Sequence, residues 1–317
     1  MTMDPGGARR LLERMTLIRA FEETVQSSIG EGGLGGLVHL SIGQEAVAAA
    51  LADVVQGADR VYAGHRAHGH ALALGAEPWR VMAELMGKAD GLCRGKGGSM
   101  HLVDVAHGFF GATGVVGGNI PLALGTAFAI RPRGGVAVVV FGDGAAQSGY
   151  FHESLNIAAL WRLPVVLVCE NNGYAEFTPR SAHTVVERVA RHAETYGVRA
   201  STVDGNDVLA VRDAAAASLE HARGGAGPAL LECLTYRMRG HYEGDPAGYR
   251  AASEVADWRE KDPVARFGRV ATERGWLSAA DVAAIDRDVR AMLAQAVDRA
   301  RRSPDPQASE LTEDVHG

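Results

Sequence analysis

Two short apolar runs that each end on polar residues constrain the fold of this chain more than any other feature. The first run, 136–141, leads directly into GDG, which contains Asp143, and the second, 165–169, leads into ENN, which contains Asn172. Asp143 and Asn172 are 29 positions apart, which leaves room for one crossover helix. Strands connected in this way lie parallel, and their carboxyl ends meet at the sheet edge where ligands bind. The pattern therefore predicts a βαβ unit with both polar tips at one edge.

The polar tips have the chemistry of a magnesium site. Asp143 offers a carboxylate and Asn172 an amide oxygen, and a backbone carbonyl such as that of Tyr174 would add a third ligand of the kind Mg²⁺ prefers. The glycines on either side of Asp143 allow a sharp turn and a close approach to a ligand. A bare carboxylate would repel a diphosphate, so Asp143 predicts a diphosphate held through a metal ion.

Other interpretations of the same residues stay open. A dinucleotide fingerprint, G-x-G-x-x-G/A, fails because its last position is Gln147, yet a nicotinamide dehydrogenase remains an alternative that NAD binding without a metal would support. GDG is also a common turn and NN a common polar loop. The spacing of the two motifs, each after an apolar strand, favours the metal site over two unrelated loops.

Composition excludes several classes of function. With 317 residues and 47% hydrophobic content, the chain can bury a substantial core. Its net charge of −6 argues against a nucleic-acid partner. Three scattered cysteines without a CxxC pair favour buried thiols in a reducing compartment. There is no signal-like apolar core and no apolar run near the ~18 residues of a membrane span, so we expect a cytoplasmic protein with no membrane contact.

Helical and strand patterns alternate along the chain, which predicts an α/β fold with a doubly wound, mostly parallel sheet. We expect an N-terminal helix within 1–30, a diphosphate-binding domain over 31–250, a C-terminal helical segment over 251–302 and a weakly ordered tail over 303–317. The predicted helices are 8–29, 44–54, 79–86, 121–130, 147–160, 185–196 and 208–222, with further helices within 253–302. The predicted strands are 59–64, 136–141, 165–169, 198–203 and 229–236, and the glycine-rich span 87–118 is predicted to be a loop.

Four longer strings, together with GDG and NN, carry a family resemblance. They are HRAHGH (65–70), GKGGSMH (95–101), GVVGGNIP (114–121) and YRMRGHYEGDP (236–246). The chain resembles the alpha subunit of the thiamine-diphosphate-dependent first component of 2-oxo-acid and acetoin dehydrogenase complexes, over about residues 10 to 300. This resemblance implies the diphosphate-binding half of the thiamine-diphosphate fold, with thiamine diphosphate and Mg²⁺ as cofactors.

The resemblance also implies roles for individual residues. Asp143, Asn172 and the carbonyl of Tyr174 would hold the metal, and Arg66 would contact the cofactor diphosphate. The catalytic residues would be His241, at the lipoyl stage, and His39, facing the substrate. The remaining cofactor contacts would come from His65, Ala106, Gly114, Val116, Gly144 and Ala145, and from His241 itself.

The histidines of HRAHGH permit two other interpretations. His65, His68 and His70 could suggest a zinc site, but Arg66 among them would repel a cation and no cysteine or acidic ligand is near in sequence. They could also be ordinary polar loop residues. An anion pocket is favoured because Arg66 can pair with a phosphate bidentately.

The resemblance further implies an incomplete enzyme. In this family the glutamate that activates the cofactor belongs to a beta subunit, so we expect an inactive single chain and an α₂β₂ heterotetramer. The implied reaction is cleavage of acetoin or oxidative decarboxylation of pyruvate, with acyl transfer to a lipoyl group on a partner acyltransferase. Acetoin is favoured, a branched-chain 2-oxo acid is less so, and a catalytically silent assembly subunit is a further alternative.

Two positions depart from the family pattern. A regulatory serine of mitochondrial relatives is replaced by Tyr242, so we expect no control by the same phosphorylation. The apolar residue that helps to bend the cofactor is commonly found two positions after the metal-binding tyrosine, and here that place holds Glu176.

Overall fold

A six-stranded sheet forms the centre of the molecule. The computed structural model describes residues 3–31 and 33–313. Every neighbouring pair in this sheet is parallel, and the spatial order of the strands is β2-β1-β3-β4-β8-β7. A separate two-stranded hairpin is formed by β5 and β6. The strands are β1 (Arg60–Ala63), β2 (Phe109–Ala112), β3 (Ala137–Gly142), β4 (Val165–Asn171), β5 (Tyr174–Ala175), β6 (Thr178–Pro179), β7 (Arg199–Asp204) and β8 (Ala229–Leu234).

Helices cover both faces of this sheet, as the doubly wound prediction requires. Along β3, Val138 and Val140 belong to one buried cluster, with α1, α2 and α9, while Val139 and Phe141 belong to another, with α5 and α6. The parallel, doubly wound α/β prediction is therefore confirmed. The helices are α1 (Pro5–Gly30), α2 (Glu45–Val54), α3 (His68–Leu74), α4 (Pro78–Leu85), α5 (Asn119–Ile130), α6 (Gly149–Leu160), α7 (Arg180–His183), α8 (Ala190–Glu194), α9 (Val208–Arg223), α10 (Ala252–Arg259), α11 (Pro263–Glu273) and α12 (Ala279–Arg302).

The predicted βαβ unit is β3, α6 and β4. Residues of β3 and β4 pair in register from Ala137 with Val165 to Gly142 with Glu170, so both strands end at the same level. A short 3-10 turn, Asp143–Gln147, connects β3 to α6. The chain passes from β1 to β2 on one side and from β3 to β4 on the other, which makes the β1/β3 boundary the topological switch point of the sheet.

Three predictions of local structure are wrong. The span 87–118 is not all loop, because 109–112 forms β2 beside β1, although glycines at 108 and 111 weaken its strand pattern. The predicted helices omit α3, which begins at His68 within HRAHGH. The helix predicted over 185–196 is reduced to Ala190–Glu194, consistent with the β-branched Val185 and Val186 at its expected start.

The terminal segments pack onto the sheet domain. Asp4 caps α1, with its Oδ1 accepting a hydrogen bond from the Gly7 amide at 2.6 Å, and α1 packs against α12. Of the tail, the Pro304 carbonyl accepts from the Ala89 amide and Lys88 pairs with Asp305 at 2.7 Å. Residues 314–317 lie outside the described part of the chain. No helix in that described part is long and apolar enough to cross a membrane.

Candidate active site

A cavity of about 340 Å³ opens at the carboxyl edge of β1, β3 and β4, at the switch point of the sheet. Its lining includes residues that follow each of these strands within three positions: Arg66 after β1, Asp143 after β3 and Asn172 after β4. Parallel pairing brings these strand ends together although the residues are far apart in sequence. The cavity is therefore where the sequence places its candidate site.

Asp143 is a buried carboxylate without a hydrogen-bond partner. It is 1% exposed, and neither carboxylate oxygen accepts a hydrogen bond from any described residue. The nearest basic group is the imidazole of His183 on α7, with Nε2 3.6 Å from Oδ2. Leaving an isolated charge in a buried site is costly unless a cation pairs with it. The carboxylate is thus arranged for a positively charged ligand.

Hydrogen bonds to both its nitrogen and its oxygen orient the side-chain amide of Asn172. Its Nδ2 donates to Gln44 Oε1 at 3.2 Å, and its Oδ1 accepts from the Tyr174 amide at 3.3 Å. The Tyr174 hydroxyl donates to Glu254 at 2.9 Å, and burial and this contact raise the pKa of the phenol to about 12. The phenol is therefore committed to Glu254, so the metal-binding group that Tyr174 can offer is its backbone carbonyl.

Three imidazoles form one wall of the cavity. The ring centroid of His39 lies 4.6 Å from that of His65 and 4.9 Å from that of His241. Burial, and then the positive charge of Arg66, lower their pKa values to about 4 for His39, about 2 for His65 and about 3 for His241. All three rings are therefore neutral at physiological pH.

Two arginines fix the tautomer of His241. Its Nδ1 lies 2.8 Å from Nη1 of Arg237 and 3.2 Å from Nη2 of Arg66. A guanidinium can only donate, so Nδ1 is the acceptor and the ring proton is on Nε2. Among the described His, Cys, Asp and Glu residues, His39, His65 and His241 are the one group of three side chains close enough to share a metal ion. The two guanidinium groups and the Nε2 proton oppose that use and make His241 a hydrogen-bond donor.

Asp245 holds the loop that carries His241. Its carboxylate accepts hydrogen bonds from the His241 amide at 2.6 Å, the Ala247 amide at 2.8 Å and the Tyr249 hydroxyl at 2.8 Å. These contacts lower the pKa of Asp245 against the opposing effect of burial. The loop is therefore closed around a charged centre, and its histidine is directed into the cavity.

Comparison with known proteins agrees with this geometry. The family model for the dehydrogenase E1 component matches residues 13–309. The chain belongs to the dehydrogenase E1 component family. This confirms the resemblance to alpha subunits of thiamine-diphosphate-dependent first components and the assignment of the chain to the oxidoreductases.

Relatives of the E1 chain divide between two substrates. The chain is 44% identical over 306 residues to the alpha subunit of an acetoin:2,6-dichlorophenolindophenol oxidoreductase from Cupriavidus necator, covering 96% of this chain and 92% of that one. It is 44% identical over 304 residues to a pyruvate dehydrogenase E1 alpha subunit from Rhizobium meliloti, covering 95% and 87%. An acetoin:2,6-dichlorophenolindophenol oxidoreductase alpha subunit from Bacillus subtilis is 43% identical over 309 residues, covering 96% and 92%. Overall sequence identity is therefore nearly the same to the relatives named for acetoin and to the relative named for pyruvate.

All but one of the E1 residues predicted for the site line the cavity. The exception is Ala106, which is exposed in the turn Val105–His107. That turn precedes β2, so it lies at the amino edge of the sheet, opposite the cavity, and the predicted lining role of Ala106 is wrong for this chain. The residues that do line the cavity are His39, His65, Arg66, Gly114, Val116, Asp143, Gly144, Ala145, Asn172, Tyr174 and His241.

The other two histidines of HRAHGH, His68 and His70, contact different acidic residues. His68 is fully buried, with Nδ1 2.9 Å from Glu22 and Nε2 2.8 Å from the hydroxyl of Ser99. His70 pairs with Glu170 at 3.1 Å. The zinc interpretation of this motif therefore has no support in the structure.

Sequence reasoning missed several residues of the E1 site. Arg237 lies within the YRMRGHYEGDP string and Gln44 lies five positions after His39, so both are next to residues that the sequence singles out. Glu170 precedes the NN pair and lines the cavity floor with His70. His183 has no such signal, because a single histidine in a polar stretch has no pattern that links it to Asp143.

Proposed function

We propose that this chain binds thiamine diphosphate through Mg²⁺ and acts as the alpha subunit of an acetoin or pyruvate dehydrogenase first component. The observation that carries the proposal is the buried, unpaired carboxylate of Asp143 beside the oriented amide of Asn172. Oxygen donors of this kind fit Mg²⁺, which would take both side chains, the Tyr174 carbonyl and phosphate oxygens.

The chain's own residues would hold the diphosphate and exclude water. Gly144 packs so closely against β5 that an added Cβ would lie 2.8 Å from that of Ala175, and the absence of a Cβ would also let its backbone approach the phosphates. The Nε2 proton of His241 is directed to donate to an anion, and Arg66 adds a buried positive charge. Thiamine diphosphate, when bound, supplies the carbanion chemistry of its thiazolium ring. His39 would contact the substrate, and His241 would assist acyl transfer.

The proposal includes a beta subunit in an α₂β₂ assembly and a lipoyl group as acyl acceptor. Beside the cavity, Val115 and Val116 are 60% and 54% exposed, an unusual position for two apolar side chains that a partner would cover. The partner would bring the carboxylate that activates the aminopyrimidine of the cofactor. The single chain is therefore expected to be inactive.

Titration calorimetry on the chain co-purified with its beta partner tests the metal role. Thiamine diphosphate binding is expected to require Mg²⁺, and Asp143→Asn is expected to weaken it at least 100-fold, or about 3 kcal/mol, because the isosteric amide lacks the charge. The exposed Asp213→Asn is the matched control. Unchanged affinity in Asp143→Asn would refute the proposal, and unchanged complex activity would favour a silent assembly subunit.

A second assay tests the reaction. Purified alpha, with and without beta, is offered acetoin or pyruvate with an artificial electron acceptor and then with a lipoyl domain. Activity is expected only with both subunits. Full turnover by alpha alone would contradict the heterotetramer, and NAD binding without Mg²⁺ or thiamine diphosphate would favour a nicotinamide dehydrogenase instead.

A further inference from the structure

Glu176 lines the cavity in an unusual backbone conformation. It follows β5 and has φ of +53°, in the left-handed region that residues other than glycine seldom adopt. Its carbonyl accepts a hydrogen bond from Nη2 of Arg237 at 2.8 Å, which helps to hold this conformation. The contact connects Glu176 to the same arginine that fixes His241. Glu176 is thus held at the mouth of the site by the residues that build it.

The carboxylate of Glu176 is not neutralised by its neighbours. No described residue donates a hydrogen bond to it or forms an ion pair with it, and the residue is exposed at the cavity mouth. The mouth therefore carries a free negative charge.

The two arginines of the cavity are held in place by hydrogen bonds to neutral protein groups. Arg66 donates to the Leu40 carbonyl and to His241, and it is the group expected to face the diphosphate. Arg237 donates to His241, to the Tyr249 hydroxyl and to the Glu176 carbonyl. The three imidazoles are neutral, so they offer hydrogen bonds but no charge. Both guanidinium groups keep their charge but are buried, at 7% and 2% exposure, whereas a substrate carboxylate at the cavity mouth would meet the exposed negative group of Glu176.

We propose that Glu176 determines specificity by favouring a neutral 2-hydroxy ketone over a 2-oxo acid. Its carboxylate accepts a hydrogen bond from the substrate hydroxyl, a group that a 2-oxo acid lacks. The same carboxylate repels the anionic carboxylate of a 2-oxo acid. This inference rests on the proposed function, and it selects between the two substrates that the relatives leave equal.

Charge and hydrogen bonding are separated by two substitutions in the reconstituted enzyme. Glu176→Gln keeps an acceptor oxygen but removes the charge. The ratio of kcat/KM for pyruvate to kcat/KM for acetoin is therefore expected to rise roughly tenfold, which is the size of effect that one partly screened charge has at close range. Glu176→Leu also removes the acceptor and is expected to lower kcat/KM for acetoin roughly tenfold or more. Neither glutamine nor leucine is β-branched, so each is expected to tolerate the left-handed backbone at position 176 as well as glutamate does.

The control is Glu187→Gln, since Glu187 has a side chain 65% exposed and lies outside the cavity. Its substrate ratio is expected to match that of the unaltered enzyme. Added salt is expected to raise the ratio more in the unaltered enzyme than in Glu176→Gln, because only the unaltered enzyme carries the Glu176 charge.

Thiamine diphosphate affinity, measured by calorimetry for each variant, distinguishes a failure of the proposed function from a failure of the role of Glu176. Failure of the unaltered assembly to bind the cofactor would refute the proposed function and this inference with it. Normal cofactor binding with an unchanged substrate ratio in Glu176→Gln would overturn the role of Glu176 alone. Equal changes for both substrates would overturn it as well.

Discussion

A single buried carboxylate shapes the glycine-rich loop that leads into the cavity. Glu84 on α4 accepts hydrogen bonds from four backbone amides, those of Cys93 and Gly95 at Oε2 and those of Gly97 and Gly98 at Oε1, at 2.8 to 2.9 Å. A glycine-rich chain can fold around one side chain because the absence of Cβ atoms allows this close approach. The GKGGSMH motif is therefore organised from inside by an acid.

Replacing Glu84 with glutamine tests this residue. The new NH₂ group cannot accept from the two amides that it would face, so two charge-assisted hydrogen bonds are lost and about 3 kcal/mol of unfolding free energy with them. Urea unfolding of the purified chain measures the difference. The exposed Glu77→Gln, at the start of the same helix, is expected to change stability little, and an equal loss in both variants would contradict the role of Glu84.

The site residues show what sequence spacing can and cannot predict. Asp143 and Asn172 could be paired because each follows an apolar strand, and parallel strand ends share an edge. The role that the family resemblance implies for Ala106 is wrong, because the sequence does not reveal that this glycine-rich stretch first reaches the amino edge of the sheet and then returns in β2. His183 could not be predicted, since its approach to Asp143 depends on the tertiary path of α7.

At the scale of elements, Glu232 connects four of them next to the turn that carries Asn172. From β8 it accepts hydrogen bonds from the Asn171 side chain at 2.7 Å, the Val189 and Ala190 amides at 3.0 and 3.2 Å, and the Thr202 hydroxyl at 3.0 Å. Asn171 in turn accepts from the amide of the residue that follows Asn172. Strand β4 thus ends in a turn whose shape depends on β7, β8 and the start of α8.

Substitution of Glu232 is therefore expected to affect cofactor binding from a distance. Glu232→Leu removes every one of these acceptors, and the turn carrying Asn172 should lose its fixed geometry. The expected result is at least a tenfold weaker Mg²⁺-dependent binding of thiamine diphosphate, measured by calorimetry, together with lower stability. Thr202→Ala removes only one neutral donor and should change the affinity less than threefold; equal effects in the two variants would contradict the proposed linkage.

At the scale of the whole molecule, the proposed function makes this chain one half of a composite site. The length and alternation of the chain predict a single sheet domain with terminal helices, and the structure has one six-stranded sheet with its cavity open at the switch point. A cavity with exposed valines, a buried unpaired carboxylate and three neutral imidazoles is costly to keep in an isolated chain. These features are placed for ligands and a partner rather than for the stability of the chain itself.

The three imidazoles have a consequence for stability that acts on the whole chain. In the folded state the pKa values of His39, His65 and His241 are about 4, 2 and 3, below the ordinary histidine value of about 6.5. Between pH 6.5 and 4 the unfolded chain therefore binds more protons than the folded chain, so stability falls as pH falls through this window. Thermal unfolding of the cofactor-free chain from pH 7.5 to 5.5, above the usual range of carboxyl titration, should show a midpoint that decreases with pH. His65→Gln should reduce that slope and His39→Gln with His65→Gln should reduce it further, whereas an unchanged slope in the double variant would mean that these rings are protonated in the folded chain.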